Sequence, residues 1–164
     1  MTLIELPYDL PGRVFCSEMP FSGYDPYGKL FSDYQRERIS TVVLLAEDSE
    51  CQRITGFDLR KFYLEQGIKV IYLPIPDFGT PHIGNITKAV ELACAQAGQG
   101  YHQVVHCHAG IGRTGMFAAC LAIRIMGFSA SDAISWVRER IPGAVEVPEQ
   151  VQLIKLFAEG ELSC

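Results

Sequence analysis

Residues 104–123, VVHCHAGIGRTGMFAACLAI, bring a thiol, two imidazoles, a run of glycines and a guanidinium into one short stretch. Three chemistries compete for them. Gly110, Gly112 and Gly115 spell G-x-G-x-x-G, which cradles a pyrophosphate when it joins a strand to a helix and an acid closes a second strand about 20 residues on. Here Asp132 opens a helical pattern and no strand follows Met126, so a dinucleotide site is not expected. The phosphate loop of NTPases also fails, because Arg113 stands where its lysine belongs. His106, Cys107 and His108 are metal-ligand types, but a closed site needs more convergent ligands, and His82 and His102 lie at no recognisable ligand spacing. A structural role for His106 is the simpler expectation, and neither a metal nor a cofactor is expected.

The third chemistry uses every residue. If a strand ends at His106 and a helix starts near Arg113, the loop between them turns its backbone N–H groups toward one point, where the helix N-terminus adds partial positive charge. Glycines permit the turn and keep side chains out of it. Arg113 offers a planar fork for two oxygens of a phosphate. The same field favours the thiolate of Cys107. Such an assembly is a nucleophile beneath a bound oxyanion.

The rest of the chain must supply that strand and helix. RVFCS (13–17), TVVLLA (41–46), KVIYLP (69–74) and QVVH (103–106) read as short strands. FDLRKFYLEQ (57–66) reads as a helix stopped by Gly67, and residues 83–97 as another stopped by Gly98. Residues 114–126 are apolar nearly all round and end at Gly127, which predicts a buried helix. Ser129 is the predicted N-cap of a helix running to about Arg140, and a last helix covers residues 149–158. Residues 18–38, with Pro20, Gly23, Pro26 and Gly28, read as a surface excursion. Strands alternating with helices predict an α/β fold: one domain over residues 1–164, with a central, mainly parallel sheet of about 4–5 strands flanked by helices. Ligands then bind beyond the carboxyl ends of the strands.

Composition narrows the function. The chain has 164 residues, nearly half of them apolar, and a formal net charge of −5, which argues against a nucleic-acid binder. No stretch is long and apolar enough to span a bilayer, so no membrane partner is expected. The start, MTLIELPYDL, lacks a basic region, and ELSC ends in Cys164 rather than carrying it fourth from the end, so neither a signal peptide nor a prenylation box is read. The six cysteines contain no C-x-x-C and read as reduced thiols of a cytoplasmic protein, most of them small core hydrophobes.

HCHAGIGRTG resembles the signature loop H-C-x5-R-[S/T] of cysteine-dependent protein tyrosine phosphatases. The resemblance extends to PIPDFGTP upstream and IPGAVEVPEQ downstream, covering at least residues 70–155, and is nearest to the small atypical dual-specificity phosphatases. The substrate-depth loop of the larger tyrosine-specific enzymes, of the Lys-Asn-Arg-Tyr kind, is not evident. The resemblance implies that Cys107 attacks phosphorus to form a cysteinyl phosphate, while Arg113 and the loop residues His108, Ala109, Gly110, Ile111 and Gly112 hold the phosphate oxygens. It implies Asp77 as general acid, thirty residues before Cys107 in a Pro- and Gly-bounded loop; this chain has Ile75-Pro76-Asp77 where many relatives have Trp-Pro-Asp. Thr114 is implied to place its hydroxyl near the sulfur, His106 to support the loop, and Gln150 or its neighbour Gln152 to position the hydrolytic water. Glu47 follows a strand end and is read as a solvated loop acid rather than the residue that orients Arg113.

The expected substrate is a phosphoprotein or phosphopeptide carrying phosphotyrosine, with phosphoserine and phosphothreonine as further candidates, and the product inorganic phosphate. His108 and Ile111 stand where similar phosphoinositide phosphatases carry lysines, which disfavours a multiply phosphorylated inositol. A catalytically dead phosphate binder would be expected to lack Cys107 or the acid. A sulfurtransferase would leave Thr114 and Asp77 without a purpose, and an arsenate reductase would need several cooperating thiols.

Overall fold

A computed structural model describes residues 3–162. Cys164 and the first two residues of MTLIELPYDL lie outside them. The strands are β1 (Ile4–Leu6), β2 (Val14–Ser17), β3 (Ile39–Leu44), β4 (Lys69–Tyr72) and β5 (His102–His106); the helices are α1 (Lys29–Arg36), α2 (Asp48–Thr55), α3 (Leu59–Glu65), α4 (Ile83–Gly98), α5 (Gly112–Met126), α6 (Ala130–Arg140) and α7 (Pro148–Leu162). One sheet runs in the order β1-β2-β5-β3-β4. All its pairings are parallel except β1 with β2.

The strands alternate between two cores, as side chains on a pleated strand must. Val14, Cys16, Val43 and Val105 join the core that α4–α7 cover, while Phe15, Val42, Leu44 and Val104 join the core under α1–α3. Burial on both faces explains why these strands read as continuous apolar runs. Helix α5 sits at the centre of its layer, with 12 of its 15 residues buried. Ser129 caps α6 as predicted, accepting from the Asp132 N–H at 3.1 Å.

Three elements depart from the sequence reading. Residues 18–38 are not a surface excursion: they contain α1, and Met19, Leu30 and Tyr34 are fully buried. Buried Asp25 holds this segment, accepting from the N–H groups of Phe21 and Leu30. Helix α2 was hidden because its polar sequence, DSECQRIT, buries only Glu50 and Cys51. Strand β1 has three residues, too few for an alternation signal.

Candidate active site

Strand β5 is the middle strand, and at its carboxyl end His106 and Cys107 part to opposite faces. His106 stays in the sheet, fully buried. Its Nδ1 lies 2.9 Å from the Cys107 carbonyl oxygen, which can only accept, so Nδ1 carries the proton and Nε2 accepts from the Tyr63 hydroxyl at 2.7 Å. Burial pulls the imidazole pKa down to about 4, so the ring stays neutral. His106 thus bonds the first residue of the loop through one ring nitrogen and, through the other, a partner on α3 that sequence reasoning did not find.

Residues 107–111 link β5 to α5. Gly110 takes a left-handed backbone, φ 76°, and a Cβ there would come 2.6 Å from the Ser17 carbonyl oxygen. The turn is braced from outside by the Met19 N–H donating to the His108 carbonyl at 2.8 Å. Among the described residues, the backbone N–H groups of His108, Ala109, Gly110 and Ile111 have no protein acceptor, and those of Gly112 and Arg113 belong to the unpaired first turn of α5. Unpaired donors around one loop at a helix N-terminus make a site for a tetrahedral anion.

The sulfur belongs to this loop. Thr114 donates its hydroxyl to Cys107 Sγ at 3.1 Å, as the resemblance implied. The other described cysteines are also free thiols, but burial pushes Cys16 and Cys51 up to about 12 and Cys94 to about 11. They are inert packing groups at neutral pH.

Arg113 is almost completely buried. Its two terminal nitrogens donate to Glu50 at 2.7 and 2.8 Å, Nη1 also donates to the Ile75 carbonyl at 2.8 Å, and Nη2 reaches Asp77 Oδ1 at 3.2 Å. Burial alone lowers the guanidinium pKa, but the Glu50 hydrogen bonds and the surrounding negative groups outweigh it and hold the charge firmly in place. Burial raises the Glu50 pKa, and the Arg113 hydrogen bond reverses this, so Glu50 stays ionised. Glu50 is the functional residue the sequence reading missed. Glu47, the first acid after β3, only precedes α2, and the orienting carboxylate comes one helical turn later.

Asp77 is brought to the same guanidinium by its loop. The Ile75 N–H donates to Leu45 O at 3.0 Å, and the Gly79 N–H closes a tight turn on Pro76 O at 2.8 Å. Fully buried Gln150 reaches this loop from α7, its Nε2 lying 3.4 Å from Gly79 O. Gln152 is exposed, so the geometry separates the two glutamines. Among the described residues no group of three or more His, Cys, Asp or Glu side chains converges as metal ligands, and no helix is long and apolar enough to cross a membrane.

The arrangement is a thiol, a hydroxyl donor, an anion-binding loop and an acid shared by one buried guanidinium. A family model described as "Polymorphic toxin system, DSP-PTPase phosphatase" matches residues 23–126. The chain belongs to the DSP-PTPase phosphatases. The tyrosine-protein phosphatase cdc-14 of Caenorhabditis elegans is 32% identical over 155 residues, covering 89% of this chain and 20% of that protein. The protein tyrosine phosphatase domain-containing protein 1 of Danio rerio is 31% identical over 106 residues, 64% of this chain and 15% of its own. The chain therefore spans a fifth or less of these two relatives. Among solved structures, Tk-PTP in its active form aligns with a TM-score of 0.79 and 28% identity, covering 97% of this chain and 99% of that one. A kinase associated phosphatase, crystallised with serine in place of its catalytic-site cysteine, shares the fold at a TM-score of 0.87 and 20% identity, over 100% of this chain and 97% of that one.

Proposed function

We propose that residues 1–164 form one catalytic domain that dephosphorylates phosphotyrosine, and phosphoserine or phosphothreonine, on proteins of the cytoplasm. The observation that carries this reading is the Thr114 hydroxyl on the Cys107 sulfur, beside a loop of unpaired N–H donors and the buried Arg113. A thiolate attacks phosphorus as the phosphorus–oxygen bond to the leaving group breaks. Asp77 supplies the proton to that oxygen. Water then attacks the cysteinyl phosphate, Asp77 takes its proton, and the phosphorus–sulfur bond breaks to release inorganic phosphate. Loop N–H groups and Arg113 hold the equatorial oxygens throughout, and the Thr114 hydroxyl stabilises the departing sulfur. Gln150, buried against the Asp77 loop, is the glutamine we assign to orienting the water, since Gln152 is exposed.

An aromatic substrate suits the surroundings of the loop. Tyr24 packs edge-on to His108, with ring centroids 5.2 Å apart, and exposed Phe78 adjoins Asp77. The free thiols suit a reducing compartment. In the test, Cys107→Ser abolishes hydrolysis of p-nitrophenyl phosphate in chelator-treated buffer while still binding phosphate esters. Turnover at the parent rate would refute the mechanism.

A further inference from the structure

Between α6 and α7 the chain adopts a conformation its residues disfavour. Val145 is β-branched and buried, yet its φ is 61°, in the left-handed region. Such strain costs about 1–3 kcal/mol and persists only where neighbours impose it. Here they do. Arg138 donates to the carbonyls of Ala144 and Val145 at 2.9 and 3.0 Å. Gln150 Oε1 accepts from the Glu146 N–H at 2.9 Å. Ala144 sits so close to α5 that a Cβ on Gly115 would come 2.6 Å from its side chain.

The outcome of these constraints is the position of Glu146. Its carboxylate lies against Gly112, the first residue of α5 and the neighbour of Arg113: a Cβ at Gly112 would come 2.3 Å from Glu146 Oε1. Glu146 is exposed, and among the described residues no cation pairs with its carboxylate. An unpaired negative charge is thus held beside a site built to receive a dianion. It repels acidic substrates and leaves an opening for a positive one.

We propose that Glu146 is a specificity-determining residue that favours phosphorylated segments with a lysine or arginine next to the phosphorylated residue. This rests on the phosphatase reading above. Two phosphotyrosine peptides differing only in Lys or Glu beside the phosphotyrosine provide the test, with the ratio of their kcat/KM values as the readout rather than absolute rates. The unmodified chain prefers the lysine peptide by about three- to tenfold, the size expected of one charge pair near a surface, and less so at high salt. Glu146→Gln brings the ratio toward one, and Glu146→Lys reverses it. Kd ratios measured in a Cys107→Ser background follow the same order.

An unchanged ratio in Glu146→Gln and Glu146→Lys, with p-nitrophenyl phosphate still hydrolysed, overturns the inference and leaves the phosphatase reading standing. A lowered melting temperature with an unchanged ratio assigns Glu146 to stabilising the start of α5 and also overturns it. Failure of the unmodified chain to hydrolyse any phosphate ester overturns the phosphatase reading, and this inference with it.

Discussion

In the proposed mechanism the Thr114 hydroxyl faces a sulfur that leaves as an anion in the second half of the reaction. Hydrogen bonds to charged groups are worth about 1.5–3 kcal/mol, so Thr114→Ala lowers kcat by about ten- to hundredfold. Stopped-flow traces then show a burst of p-nitrophenol, because the cysteinyl phosphate forms and its hydrolysis lags; uniform slowing without a burst would contradict this role. In the same mechanism Asp77 acts on the leaving-group oxygen. Asp77→Ala costs on the order of 10²–10⁴-fold, and less for esters with good leaving groups. An equal loss across a leaving-group series would place the acid elsewhere. Glu50 makes a different demand, since its loss leaves a buried guanidinium without its bidentate partner. Glu50→Ala is expected to cost about 3–5 kcal/mol in urea denaturation and to raise KM. The sequence displays Cys107, Arg113 and Thr114 openly because they share one loop and helix start. Glu50 and Tyr63 act across the fold, and nothing local to either residue marks it as facing the loop.

The proposed unit of catalysis is one strand, one turn and one helix, and Gly110 is where it meets neighbouring backbone most closely. A Cβ there meets backbone at 2.6 Å and strains φ, so Gly110→Ala forces the loop itself to move. We expect a folded protein that has lost at least about 10²-fold in kcat/KM; parent-like activity would mean the loop tolerates that shift. Elements with a strong apolar signature were legible in the sequence: the four longer strands, the buried α5 and the capped α6. The less legible elements had mixed signals. In α1 the helical spacing of Leu30, Phe31 and Tyr34 follows a segment rich in Pro and Gly. In α2 the buried face is a carboxylate and a thiol, so an apolar period never arises. With α2 unread, the sequence offers Glu47 at the strand end and gives no sign of Glu50, in the first turn of that helix. Asp77 was legible through its family motif, but its contact with Arg113 was not.

At the scale of the molecule, two cores meet at β5, and the neutral His106 between them ties stability to pH. Its ordinary value of 6.5 is drawn down to about 4. Between those values the unfolded chain takes up a proton that the folded one refuses. This contribution is therefore fully present above pH 6.5 and is lost as the pH falls toward 4, on the order of 3 kcal/mol in all. Glu5 and Glu50, both held below the ordinary carboxylate range, add their losses nearer the acid end. His106→Gln flattens the upper part of the curve measured by urea denaturation; an unaltered slope would assign it to other groups. The central claim concerns the covalent bond between Cys107 and phosphorus. Rapid acid quench during turnover of p-nitrophenyl phosphate, followed by peptide mass spectrometry, reads that bond directly. A phosphoryl adduct on Cys107, absent in Cys107→Ser and enriched in Thr114→Ala, is the predicted result. Turnover with Cys107 unmodified throughout, or with the adduct on another residue, would contradict the account.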